Sequence, residues 1–131
     1  MVVVNSKEEL EELIEQRIET LGPNCDLNDI DVSRIDDMSH LFYWSKFNGN
    51  ISEWDVSSVR DMKFMFYRSE FTGDISRWDV SNVRDMSEMF SYSNFNGDIS
   101  NWNVSNVENM NYIFAYSKFS RDISNWYKRL R

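Results

Sequence analysis

A stacked repeat solenoid forming one domain is the fold class this sequence predicts, and three observations predict it. The first is a period of 24 residues running through the chain. Phe47, Phe71, Phe95 and Phe119 form one apolar column; Ile51, Ile75, Ile99 and Ile123 the next; Trp54, Trp78, Trp102 and Trp126 a third. Val56, Val59, Met62, Met65 and Phe66 recur in the same way, with Ile113 replacing Met at one place. A fixed period of this length means units that pack on their neighbours, because one unit cannot cover both faces of its own apolar layer. The second observation is an amphipathic helix ahead of the repeats, placed to cap them. The third is that the end copies are the least regular, as terminal repeats should be.

The elements follow in order. Met1 to Val4 reads as a short strand, since β-branched residues suit a sheet edge. Ser6 with Glu9 three residues later is a capping-box signature, and Gly22 and Pro23 end the helix it opens. Leu10, Leu13, Ile14, Ile18 and Leu21 take one helix face, and Glu8, Glu11, Glu12, Glu15 and Glu19 the other. Residues 1–22 are therefore a cap. Residues 23–46 form a degenerate repeat in which Leu27, Ile30, Val32, Ile35, Met38, Leu41 and Phe42 occupy the columns, aliphatic where later units carry the Trp ring. Full repeats occupy 47–70, 71–94 and 95–118, and 119–131 is a truncated copy. Within a unit, Met86, Met89 and Phe90 follow an i, i+3, i+4 pattern that predicts one or two helical turns. The same phasing puts the column Ser45, Ser69, Ser93 and Ser117 on the inner side, where a hydroxyl can bond a neighbouring unit's backbone.

Composition narrows function. A formal charge of −8 opposes nucleic-acid binding, which needs a basic face. The charge is polarised: residues 1–46 carry 4 basic and 11 acidic groups, whereas the tail from Phe119 has a net charge of +3. That polarity is compatible with a monomer or with weak head-to-tail association. No window approaches the roughly 20 apolar residues of a membrane span, and the start lacks a secretory pattern, so the expectation is a cytoplasmic chain without membrane insertion, or a cell-surface one if it is a piece of a longer protein. The lone Cys25 excludes an internal disulfide.

Catalysis is not expected. His40 is the only histidine and has no second histidine or cysteine with which to make a nucleophilic pair. The carboxylates recur with the lattice, as in Asp74, Asp98 and Asp122 or Asp37, Asp61 and Asp85, and read as turn residues bonding backbone N–H groups. Calcium is the alternative for such columns, but the nine-residue period of calcium-binding β-rolls is absent. No cofactor or metal is expected. Gly49, Gly73 and Gly97 share a column with Cys25 and Arg121, so positive φ is not obligatory there.

The phrase FNGDISNWNVSNV at Phe95 to Val107, with its copies between Pro23 and Trp126, resembles the BspA-like leucine-rich-repeat family of bacterial surface proteins, in the subtype with FNGDIS-W-DVSNV-DM--MF repeats. The resemblance implies a leucine-rich-repeat-like, right-handed coil of short parallel strands and short helical turns. It also implies a non-enzymatic surface or interaction role.

Positions that differ between copies are those a binding surface would use. By helical phasing the outward columns are His40, Phe64, Glu88 and Tyr112; Tyr43, Tyr67, Ser91 and Ala115; and Trp44, Arg68, Tyr92 and Tyr116. Trp, Tyr and Arg supply most interface hot spots, which makes Trp44, Phe64, Tyr67, Arg68, Tyr92, Tyr112 and Tyr116 the candidate partner-binding residues. The competing reading is that these rings lean on one another and protect the turns. Glu53, Arg77, Asn101 and Asn125 form an alternative polar face. Two function classes result: a protein–protein interaction module, as the resemblance implies, or an intracellular inhibitor such as an immunity protein or antitoxin, whose acidic surface masks a basic toxin. A glycan-binding module is a third.

Overall fold

The computed structural model describes residues 1–129. Strand β1 (Val2–Val3) and strand β2 (Ile30–Asp31) pair in parallel, Val2 opposite Ile30. Between them runs helix α1 (Lys7–Leu21), and a short helix α2 (Ser124–Arg129) closes the described chain. The Ser6 hydroxyl accepts from the Glu9 N–H at 3.1 Å, and Gly22, at φ 94°, donates its N–H to the Ile18 carbonyl. Both ends of α1 thus form as the sequence predicts.

The remainder contains no further regular element among the described residues, yet it is tightly organised. Parallel bridges link Asp26 to Asn50, Asp37 to Asp61, Asp61 to Asp85 and Asp85 to Asn109. Successive units therefore lie side by side in 24-residue register. Side chains repeat the same relation. Phe42, Phe66, Phe90 and Phe114 stack at 5.5, 5.5 and 5.8 Å between centroids, and Trp54, Trp78, Trp102 and Trp126 at 6.4, 6.4 and 6.3 Å, all nearly parallel. Each of those indoles donates its N–H to a carbonyl of the unit before: Leu27, Ile51, Ile75 and Ile99, at 2.9–3.0 Å. The ring buries its apolar area while its one polar atom is satisfied, which is the condition for a Trp to sit in a core. Trp78 and Trp102 are 4% and 1% exposed.

The carboxylate columns are turn devices. Asp37, Asp61, Asp74, Asp79, Asp85 and Asp98 each accept the N–H of the residue two places on, at 2.8–3.0 Å. Asn50, Asn103 and Asn109 do the same in their columns. An uncharged amide serves as well, so the position needs a short acceptor and not a charge. The Asp79 and Asp98 carboxyls are held below the usual carboxylate value, first because the Ser81 and Ser100 hydroxyls donate to them and then through the backbone N–H groups of the same serines. With folded-state pKa below the unfolded value, their stabilisation is complete above about pH 5 and is lost as pH falls through the depressed values, below about pH 4. Urea midpoints are expected to be flat from neutral pH to that point and to drop beneath it, with Asp79→Asn blunting the drop.

Three local expectations are corrected. The Met-x-x-Met-Phe segments are not helical turns but chains of tight turns: in the second unit Met65, Tyr67 and Ser69 donate to Met62, Phe64 and Phe66, while Met62, Phe64, Phe66 and Arg68 donate outward to the next unit. Alternating local and inter-unit bonds leave no run of i to i−4 bonds, which a helix requires. The serines of the inner column bond locally, each Oγ of Ser45, Ser69, Ser93 and Ser117 accepting from the N–H two residues on. Leu21 is 62% exposed although Leu10 and Ile14 are buried, because the chain leaves the core at Gly22 directly after it.

Candidate functional site

The tight turns decide what faces water. Each segment contains two turns whose third residue has positive φ, between 51° and 62°: His40, Trp44, Phe64, Arg68, Glu88, Tyr92, Tyr112 and Tyr116. None is glycine or asparagine, the residues that take this conformation most easily. Six of the seven candidate partner-binding residues are in this set; Tyr67 is the exception. Left-handed backbone costs a non-glycine residue roughly 1–2 kcal/mol. It is held here by the inter-unit ladder, in which Trp44 donates to Tyr67, Arg68 to Ser91, and Tyr92 to Ala115, at 2.8–3.0 Å. Glu88, at φ 51°, tests the strain alone. Glu88→Gly is expected to stabilise the chain by about 0.5–1 kcal/mol in urea unfolding, and Glu88→Val to destabilise it, since branching at Cβ is least tolerated there.

From these turns the side chains line up along the stack. The Arg68 guanidinium lies between two rings, 4.6 Å from the Trp44 centroid and 4.1 Å from that of Tyr92, and Tyr92 stacks on Tyr116 at 5.1 Å. Trp44, Arg68, Tyr92 and Tyr116 are thereby one continuous row, its three rings 58%, 40% and 82% exposed. Beside it His40 stacks on Phe64 at 4.9 Å and Tyr43 on Tyr67 at 5.2 Å, with Phe64 and Tyr67 half-buried. Tyr112 is 73% exposed and sits apart from these contacts. The rings do lean on one another, and the row still presents large faces to water.

One outward expectation fails. Ser91 is fully buried, its hydroxyl donating to the Tyr112 carbonyl at 2.6 Å; a side chain this small sinks between the larger ones of its row and bonds the next unit. Two flanking groups missing from the candidate set, His40 and Tyr43, belong to the surface: both are exposed and line a groove of about 670 Å³ between the first unit and α1. Ile14, Ile18 and Leu41 also line it, with Glu11, Glu15 and Glu19 of α1. The i, i+4, i+8 spacing of those glutamates was visible as an acidic helix face; which unit it would overlook was not. The polar face at Glu53 and Arg77 gathers only a shallow recess with Ser52 and Trp54.

Among the described residues no three of His, Cys, Asp and Glu converge as metal ligands, and no helix is long and apolar enough to cross a membrane. No curated protein and no solved structure matches the chain significantly. Residues 9–127, nearly the whole chain, match the family described as Mycoplasma protein of unknown function, DUF285, a repeat family in the neighbourhood of BspA-like proteins, and the chain belongs to that family.

Proposed function

We propose that the chain is a non-enzymatic protein-interaction module, a right-handed leucine-rich-repeat-like solenoid of the BspA-like subtype, that holds a protein partner against the row Trp44, Arg68, Tyr92 and Tyr116. Stacked parallel units in 24-residue register support the architecture. One observation carries the function: large rings and a guanidinium are kept at positive φ, where glycine would remove a cost of about 1 kcal/mol per position. Side chains retained against that cost are retained for what they touch, and rings with an adjoining Arg are the chemistry of interface hot spots.

The partner's surface is basic where it meets the end of the row, because the groove beside His40 and Tyr43 has Glu11, Glu15 and Glu19 on its wall. That feature favours the second reading as well, an inhibitor that masks a basic toxin; the two differ in how many partners they take. The test is capture from extracts of the source cell. Wild type is expected to retain a basic protein in a complex weakened by salt, and the combined variant Trp44→Ser, Arg68→Ser, Tyr92→Ser to lose it by at least about 100-fold in affinity, each such residue contributing about 1–2 kcal/mol. Arg77→Ser with Asn101→Ala, on the polar face, should leave it unchanged. Equal capture by the row variant would sink the proposal, and a single basic partner would select the inhibitor reading.

A further inference from the structure

The groove between α1 and the first unit has walls of three kinds. Ile14, Ile18 and Leu41 give it an apolar floor. Along one side stand Glu11, Glu15 and Glu19, about 6 Å apart because four residues advance a helix that far. His40 and Tyr43 form the other side, and each has a neighbouring ring on one face only: His40 stacks on Phe64 at 4.9 Å and Tyr43 on Tyr67 at 5.2 Å, both within 15° of parallel. Phe64 and Tyr67 have these same two rings over their other faces. At the first unit that place is the groove, so the second faces of His40 and Tyr43 are turned toward α1.

Nearby cations are engaged elsewhere. Lys7 bonds Ser39 at 3.0 Å and lies 3.8 Å from Asp37, and Arg17 closes on Asp29 with two contacts of 2.9 Å. Lys46, exposed one residue beyond Ser45 of the rim, is outside the lining. Among the described residues none of Glu11, Glu15 and Glu19 has an ion pair. Carboxylates alone would be a solvated helix face; here an apolar floor and two ring faces stand opposite them. The molecule also shows what each wall binds. Arg68 lays its guanidinium between Trp44 and Tyr92, at 4.6 and 4.1 Å, and Arg17 takes a carboxylate with both prongs of its own. The groove offers both kinds of contact to one incoming group.

We propose that the groove takes an arginine side chain of a partner polypeptide. Its aliphatic stem lies over Ile18 and Leu41, its plane against Tyr43 and His40, and its N–H groups donate to Glu15 and Glu19. Lysine meets the charge of this site but has no plane for the rings and no fork for the carboxylates. The volume of about 670 Å³ falls within the range of ligand sites, about 300–1,000 Å³, and accommodates the side chain with the backbone on either side of it. The inference rests on the reading of the chain as an interaction module and adds to its basic partner the residue that anchors it.

The probe is a synthetic peptide, acetyl-Gly-Ala-Arg-Ala-Gly-amide, with versions in which lysine or citrulline replaces the arginine. Each is titrated into the full chain at low salt and followed by NMR at the ring protons of His40 and Tyr43. The arginine peptide is expected to shift both rings and to saturate with a Kd near about 1 mM. The lysine peptide should bind about 5-fold more weakly, and the uncharged citrulline peptide should leave the rings unshifted. Glu15→Gln with Glu19→Gln should weaken the arginine peptide by about 10-fold, and Tyr43→Leu by about 3-fold or more. Glu8→Gln with Glu12→Gln removes the same charge from α1 outside the groove and should cost less than about 2-fold. All of these positions are exposed, and unchanged urea midpoints confirm that the variants fold. Tyr92→Ser, in the outward row and outside the groove, should lower capture from extracts without touching peptide binding, so this proposal and the previous one fail separately. Equal binding of the arginine and lysine peptides, or equal losses from the two glutamate pairs, would reduce the groove to bulk charge and overturn the proposal. Unshifted rings at about 20 mM arginine peptide would overturn it as well. Self-association by sedimentation that Glu15→Gln with Glu19→Gln abolishes would assign the groove to a second copy and overturn it too.

Discussion

Replacing Trp78 by Ala is expected to remove most of the chain's stability. The ring is 4% exposed, lies 6.4 Å from Trp54 on one side and 6.4 Å from Trp102 on the other, and ties its N–H to the Ile51 carbonyl at 3.0 Å. Truncating a buried Trp costs about 3–5 kcal/mol through lost burial and the cavity left behind. Stranding a buried carbonyl adds about 1–3 kcal/mol. Against a typical total of about 5–15 kcal/mol, the sum leaves a marginal protein. Position in the stack sharpens the prediction. Trp126 has a stacked indole on one side only, so Trp126→Ala should cost visibly less, and Trp78→Phe, which keeps a ring but drops the donor, should fall between. Equilibrium urea unfolding gives all three. A loss below about 1.5 kcal/mol for Trp78→Ala would mean that the Trp column is not what joins the units.

Gly49→Ala is the second large effect, and its cause is space and not backbone freedom. A Cβ there would fall on the carbonyl oxygen of Cys25 and meet the Phe47 ring at 2.7 Å. That carbonyl accepts the Asn50 N–H at 3.2 Å, so the methyl group must push the first two units apart where they are bonded. A loss of about 3 kcal/mol, at the upper end of overpacking effects, is expected. At Gly73 the added carbon meets the Phe71 ring at 2.8 Å and the Gly49 carbonyl at 3.3 Å, and at Gly97 its three nearest atoms all belong to the Phe95 ring. Thermal midpoints should therefore fall in the order Gly49→Ala, Gly73→Ala, Gly97→Ala, the first falling furthest. Equal shifts at the three positions would show that the ring two residues earlier, common to all, sets the cost.

Much of this was legible in the residues. Apolar identity at a fixed period named the buried columns, because a position that must be filled by Phe, Ile or Trp in every unit is one that water never reaches; Phe71, Ile75 and Trp78 are all buried. Capping chemistry is local, so Ser6, Glu9 and Gly22 placed the ends of α1. The carboxylate columns also declared their role, since Asp or Asn two residues before the N–H it accepts is a relation contained within three residues.

What the residues left undecided is where bonds between units override local pattern. Met86, Met89 and Phe90 have helical spacing, but every second N–H of that segment is taken by the neighbouring unit, and the chain turns instead of coiling. The sequence by itself determined which apolar columns of the repeats, such as Phe71, Ile75 and Trp78, are inside and how far apart the units recur. Only the tertiary structure decided that the outward rings stand on left-handed backbone, that Ser91 is buried among them, and that α1 brings its glutamates over His40 and Tyr43. The physical reason is the range of the interactions: burial and capping are fixed by a residue and its near neighbours, whereas the ladder that holds positive φ exists only once a second unit supplies the acceptors.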